Sequence, residues 1–572
     1  MDKEKLRRVA LGIDKAAIVL KNCKIVNVFS GLIETGDIAI EEGIIAGIGK
    51  YEGITETDMC FSYVSPGLID GHVHIESSML SPGQFAKVIV PLGTTTVIAD
   101  PHEIANVCGL SGIRFMLESS ANVPLDVRIM IPSCVPTTVF ETAGASINAD
   151  EIGALKNEKS IVGLGEMMNY PGVIGGDRET YRKLYVMADK MIDGHAPGVT
   201  GEELNAYVLA GVKTDHEATT AMELREKVSR GMYVHLREGS VAKNEETLLK
   251  AVNKDNLSRL MFCTDDKHPE DIRKEGHINH NVTMAIENGL DMVDAIKMAT
   301  INTATCYNLK NTGGIAPGYY ADLIVFDDPG KIVPRLVYKK GQLVARDGKA
   351  LFSVIPTDDP AVEKTVRFDP ERLNFSIPLH KNRVHVIGFD KDNLTTRKLT
   401  ENVRVENGYY RQEKNSGILK LAIVERHRMT GNIGLALVRG YGLKGGALAM
   451  TIAHDSHNMV VIGDDDEAMR KAALKLREIQ GGIALVYGNE IFDYLQLETG
   501  GLMTQKDYHY VEQKLERMSK QARKMGVDPN IDDPFLALAF LSLPVIPELK
   551  VTDKGLFDVN KFKIIPLEVM ED

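Results

Sequence analysis

Between Leu68 and Asp265 the chain repeats one unit eight times: a short apolar run, then a stretch patterned as a helix. The runs end near "DGHVH", "TTTVIADPHE", "DVRIMIPSCVP", "IVGLGEMMNY", "MIDGHAPGV", "VKTDHEAT", "GMYVHLREGS" and "RLMFCTDD". A strand followed by a helix must pair in parallel with the next strand. Eight such units at ~20–35-residue spacing are therefore expected to close into a (β/α)8 TIM barrel over 67–305, with its chemistry at the C-terminal strand ends. The flanks have another texture. Residues 1–66 and 306–355 alternate apolar and polar positions between Gly-containing turns, as hairpins do. They read as two parts of one small β-sandwich domain, split by the barrel. Over 375–572 an additional C-terminal α+β domain is expected, with strands preceding an amphipathic helix from about Asp466 to Gln480. The fold class is thus α/β.

At 572 residues the chain is too long for one core, and 44% hydrophobic with 26% charged residues suits a soluble globular protein. A net charge of -12, with no basic run interleaved with aromatics, argues against nucleic acid as a partner. The six cysteines are scattered without a C-x-x-C and read as free thiols of a reducing compartment. The N-terminus is charged and shows no apolar signal core. "PFLALAFLSLPVIPEL" is short and broken by prolines, so it reads as a buried segment and not as a membrane span. A cytoplasmic protein with no membrane partner is expected.

What stands at the strand ends carries the chemistry. The first run closes in His72 and His74, which on a strand point to one side while Val73 points to the other. The fourth ends in Glu166, the fifth in His195, the sixth in His216 and the eighth in Asp265. Each alone has an ordinary explanation: a loop histidine in a Gly/Pro turn for His195, a solvated charged loop for Asp215-His216-Glu217, a cap for Asp265 and Asp266. Together, four imidazoles and two carboxylates at barrel strand ends form a donor set for two divalent ions. Such ions acidify a shared water, and Asp265 can take its proton and pass it on to a leaving group.

The constellation H-x-H, carboxylate, His, His, Asp on eight barrel strands resembles the amidohydrolase superfamily, and "TGGIAPGYYADLIVFDD" is similar to its return segment into the small sheet domain. Within it, "PGLIDGHVHIESSML", "DPHEIANVCG", "GLGEMMNYPGV", "DGHAPG", "TDHE", "FCTDD" and "AHDSHNMVVIGDDDEAM" resemble the bacterial and archaeal adenine deaminase family across nearly the whole chain. The resemblance implies hydrolysis of adenine to hypoxanthine and ammonia, with metal-bound hydroxide attacking C6 and Asp265 as proton shuttle. It implies manganese or iron, and zinc suits the same ligands. Glu166 stands where many cyclic-amide hydrolases of the superfamily carry a carboxylated lysine.

Further residues are candidates for substrate contact: His102 and Glu103 after the second run, Arg237 and Glu238 after the seventh, and His454, Asp455 and His457 in the C-terminal "AHDSHN". Two alternatives to the purine aminohydrolase stay open. One is an amide hydrolase similar to N-acetylglucosamine-6-phosphate deacetylase, disfavoured by the absence of an obvious basic phosphate cluster. The other is a non-catalytic scaffold, disfavoured by the intact donor set. A homo-oligomer, by default a dimer, is expected.

Overall fold

A computed structural model describes residues 2–389 and 395–570. All eight apolar runs are strands: Leu68–Val73, Thr94–Ala99, Asp126–Ile131, Ile161–Met167, Met191–Gly194, Thr214–Asp215, Tyr233–Arg237 and Leu260–Cys263. The first five pair in parallel as one sheet and the last three as another. Lys213 N donates to Ile192 O (3.0 Å) at one seam, and Val73 bridges Asp265 in parallel at the other. The ring so closed is a barrel. Its interior is filled from the strands' inner faces, with Ile98, Met130 and Met261 fully buried.

Strands from both flanks share one nine-stranded sheet. Leu323–Phe326, after the barrel, pairs antiparallel with Tyr63–Pro66, before it. Ile45 N donates to Tyr319 O (2.8 Å), which brings the sheet's far strand back toward that seam. The layers enclose Leu20, Ile25, Ile38, Ile45, Val64, Leu323 and Val325.

The C-terminal part is built on an eight-stranded sheet with the helix Asp466–Ile479 packed on it. Asp465 caps this helix by accepting from Ala468 N (2.8 Å). Its apolar face meets Val461, Ala484 and Val486, and also Val366 and Phe368, so packing with this sheet begins earlier in the chain than residue 375. This part docks against the barrel mouth: Ser81 N donates to Thr504 O (3.0 Å), Tyr508 Oη to Pro269 O (2.9 Å) and Asn458 Nδ2 to Thr142 O (2.9 Å). One apolar core runs through both. Leu536 to Leu541 are buried within it, and among the described residues no helix is long and apolar enough to cross a membrane.

Candidate active site

The barrel directs its strand ends at one point. Asp70, fully buried, ties the first and eighth strands together by accepting from His72 N (3.2 Å), Thr264 N (3.2 Å) and Thr264 Oγ1 (2.5 Å). His72 and His74 then face the same side, with Nε2 atoms 3.1 Å apart. His74 Nδ1 donates to Asp100 O (2.8 Å), which leaves a lone pair on its Nε2. Asp265 lies at φ 57, a conformation Asp tolerates better than most residues, and this places Oδ1 3.3 Å from His72 Nε2 and 3.1 Å from His74 Nε2.

Glu166 joins the two halves of the cluster. Its Oε1 lies 3.5 Å from His74 Nε2, and its Oε2 lies 2.7 Å from His195 Nδ1 and 3.1 Å from His216 Nε2. Asp100 Oδ2 accepts from Glu166 N (2.8 Å) and fixes that strand end. Behind the sixth strand, fully buried Lys227 donates to Asp215 Oδ2 (2.7 Å), Glu223 Oε1 (2.8 Å) and Ala196 O (2.9 Å). Asp215 in turn accepts from Ala196 N (3.0 Å) and Glu217 N (3.0 Å), so this one ammonium braces the loops that carry His195 and His216.

The donor set fits metal ions. Both ring nitrogens of His216 and Nδ1 of His72 are buried without a hydrogen-bond partner, although His216 Nε2 is 3.1 Å from a carboxylate oxygen. Orphaned buried nitrogens are costly unless something absent from a protein-only description meets them. His72, His74 and Glu166 bring donor atoms within 4.8 Å of one another, as do Glu166, His195 and His216, and His72, His216 and Asp265. The first two groups share Glu166, which suits it to bridge two ions, and the third takes His72 from one and His216 from the other.

The electrostatics agree. Burial pushes the Glu166 carboxyl up, yet His195 and His216 hold it well below the usual range. Burial acts likewise on Asp265, and the Arg237 charge with hydrogen bonds from His72 and His74 outweighs it. Glu217 is held at about 2 against burial by Arg237 and His195. Among the histidines, burial and the His216 charge depress His72 to about 3, whereas Glu217 and Glu166 overcome burial to lift His195 to about 9. The ionised carboxylates raise His74, His195 and His216 above the usual imidazole range, so protons hold places that metal cations would take.

Over this floor lies a cavity of about 570 Å³. Of the expected contacts, His102, Glu103, Arg237, His454 and Asp455 line it. His102 Nδ1 stands 3.3 Å from Glu166 Oε1, and Arg237 Nη1 donates to Asp265 Oδ2 (2.9 Å) and to Glu217. His457 is buried one layer back, on Glu103. Glu238 is not brought to the cavity; it lies beside Lys243 and below the Lys267 ammonium, which donates to its backbone carbonyl. The physical reason is strand alternation: with Arg237 facing inward, its neighbour faces away. Sequence reasoning missed Glu217, read as a solvated loop residue, and the apolar wall that Phe540, Leu543 and Ile546 of the C-terminal part raise over the mouth.

A barrel with this donor set at its mouth and a sheet assembled from both flanks defines an amidohydrolase. The model of the amidohydrolase family matches residues 63–350, and that of the adenine deaminase C-terminal domain matches residues 393–563. The chain is 50% identical over 567 residues to "Adenine deaminase 2" of Carboxydothermus hydrogenoformans, covering 99% of each. It is 47% identical over 568 residues to "Adenine deaminase" of Clostridium acetobutylicum (98% of this chain, 99% of that one) and 46% identical over 563 residues to that of Geobacillus kaustophilus (97% of each). This chain belongs to the adenine deaminase family of amidohydrolases.

Proposed function

We propose that the protein hydrolyses adenine to hypoxanthine and ammonia, and that His72, His74, Glu166, His195, His216 and Asp265 hold two divalent ions for the purpose. The observation that carries this reading is the convergence of those six donors, with orphaned His72 and His216 nitrogens among them, beneath the cavity. When bound, the ions would lower the pKa of a shared water toward neutrality. Manganese is our first choice, with iron or zinc able to use the same nitrogen and oxygen donors.

The chain's own groups do the rest. Asp265 Oδ1, beside His72 and His74, takes a proton from the attacking water as its oxygen adds to C6 of the purine and the C6–N1 π pair moves onto N1. Arg237, on Asp265 Oδ2, keeps the carboxylate turned to that task. Asp265 then delivers the proton to the exocyclic amine, the N1 pair restores the C6–N1 double bond as the C6–amine bond breaks, and ammonia departs in place of the far more basic amide anion, leaving the hydroxy tautomer of hypoxanthine. Glu166 keeps His195 and His216 in register through its Oε2. Phe540, Leu543 and Ile546 exclude water from the face opposite the donors. We place the protein in the cytoplasm, as a homodimer.

The test is spectrophotometric. Manganese-loaded protein is given adenine, and conversion to hypoxanthine is followed in the ultraviolet, with adenosine, guanine and cytosine alongside. Rapid conversion of adenine, abolished by a chelator, is expected. A metal-loaded protein that leaves adenine unchanged would overturn the reading.

A further inference from the structure

Glu103, from the helix His102–Cys108 after the second barrel strand, meets two histidines of the C-terminal part: His454 through Oε1 (2.6 Å to Nδ1) and His457 through Oε2. All three are buried. A cation among them is not what the geometry describes. His457 Nδ1 accepts the backbone N–H of Ala453 (3.1 Å), so its proton sits on Nε2 and is given to Glu103. The group is a clamp that fixes one carboxylate and, through it, one imidazole.

That imidazole belongs to His454. Its ring stacks on Phe540 at 4.4 Å and 10°, its backbone N–H donates to Ala539 O (2.9 Å), and its carbonyl accepts from Ser542 Oγ (3.1 Å). With Nδ1 engaged and one face covered, Nε2 is the polar atom through which His454, a residue lining the cavity, can meet a ligand. The next residue, Asp455, is held in turn by Thr137 Oγ1 of the barrel (2.5 Å to Oδ2). The ring is therefore oriented by contacts on both sides of the interface before any ligand arrives.

We propose that His454 is a substrate-positioning residue supplied by the C-terminal part, whose Nε2–H donates to one ring nitrogen of the purine base while Glu103 holds the ring. The inference rests on the purine-base reading and extends it to a group outside the barrel. Burial lowers the His454 pKa, but the charge of Glu103 and its hydrogen bond raise it to about 9, so the ring carries both N–H groups at neutral pH and is a donor. A planar base offers in-plane acceptors of the kind this donor needs, and a site built to donate to one nitrogen discriminates against an analogue lacking it.

Equilibrium binding to the metal-loaded full chain tests this, using purine, which has no amine to lose, and the four analogues in which one ring nitrogen is replaced by carbon. His454→Phe keeps the stack on Phe540 and removes the donor; His454→Gln is the second variant, should the first not fold. Purine affinity should fall by roughly 10- to 100-fold, the loss of one charge-assisted hydrogen bond. One analogue should bind wild type and variant alike, because it lacks the accepting nitrogen. Glu103→Gln should weaken purine in the same direction, and metal content should match wild type. Equal weakening of all four analogues, or no weakening of purine, would overturn the proposal. Failure of wild type to deaminate adenine would instead strike the functional reading, and the two failures are read in different experiments.

Discussion

Replacing Lys227 by Met would leave two buried carboxylates without their cation. Asp215 is fully buried and Glu223 is 7% exposed. Each keeps two backbone donors after the substitution: Ala196 N and Glu217 N on Asp215, Gly198 N and Thr219 N on Glu223. Neither keeps a positive partner at hydrogen-bond distance. Removing one member of a buried ion pair costs about 3–5 kcal/mol. At about 2.1 cal/mol/K per residue, cooperative unfolding of 572 residues carries about 1.2 kcal/mol/K, so the midpoint should fall by roughly 2.5–4 °C. Calorimetry on chelated protein reads this shift without contributions from metal binding. Lys274→Met, which breaks an exposed i,i+4 pair with Glu270, is the control and should cost under about 0.5 kcal/mol. Because Asp215 braces the His195 and His216 loops, Lys227→Met should also weaken metal retention. A midpoint indistinguishable from the control's would refute the reasoning that this ammonium holds the site together.

Three other outcomes are expected. Asp265→Asn should retain the fold and most of the bound metal while lowering turnover by about 100- to 10,000-fold, the range of a lost general acid–base group; retained turnover would remove Asp265 from the proton path. Glu166→Gln should lose metal together with activity, and an unchanged metal count by elemental analysis would show that it is no bridge. Glu141, buried beside Asp455, has its carboxyl raised to about 8 by burial and that neighbouring charge. Its unfolded counterpart ionises near 4.5, so this group destabilises the fold progressively as pH rises from about 4.5 to 8, and Glu141→Gln should stabilise more at pH 8 than at pH 5; an equal effect at both would contradict the sign.

Much of the barrel could be read from the chain because each strand end pairs a periodic apolar run with a polar residue it cannot bury unpaired. His72 and His74 on one side of a strand, and Glu166, His195, His216 and Asp265 at later strand ends, needed only alternation and topology. Glu217 did not, since a carboxylate closing the polar run Asp215-His216-Glu217 looks solvated until Arg237 is brought beside it from the next strand. For Glu238 the signal was present: adjacent residues at a strand end cannot both face the barrel axis. Asp100 contributes to His74 through a backbone carbonyl, which leaves no mark in side-chain chemistry. The wall formed by Phe540, Leu543 and Ile546 reads in sequence as ordinary core, because its role depends on how two parts of the chain dock.

One titration tests the shared two-ion site most directly. Metal-free protein is given manganese in steps, and both bound ion and adenine turnover are followed. Activity that rises to a plateau at two ions per chain, and that Glu166→Gln fails to reach at any loading, is the predicted result. Full activity at one ion, or in the metal-free protein, would contradict the shared two-ion site on which the mechanism is built.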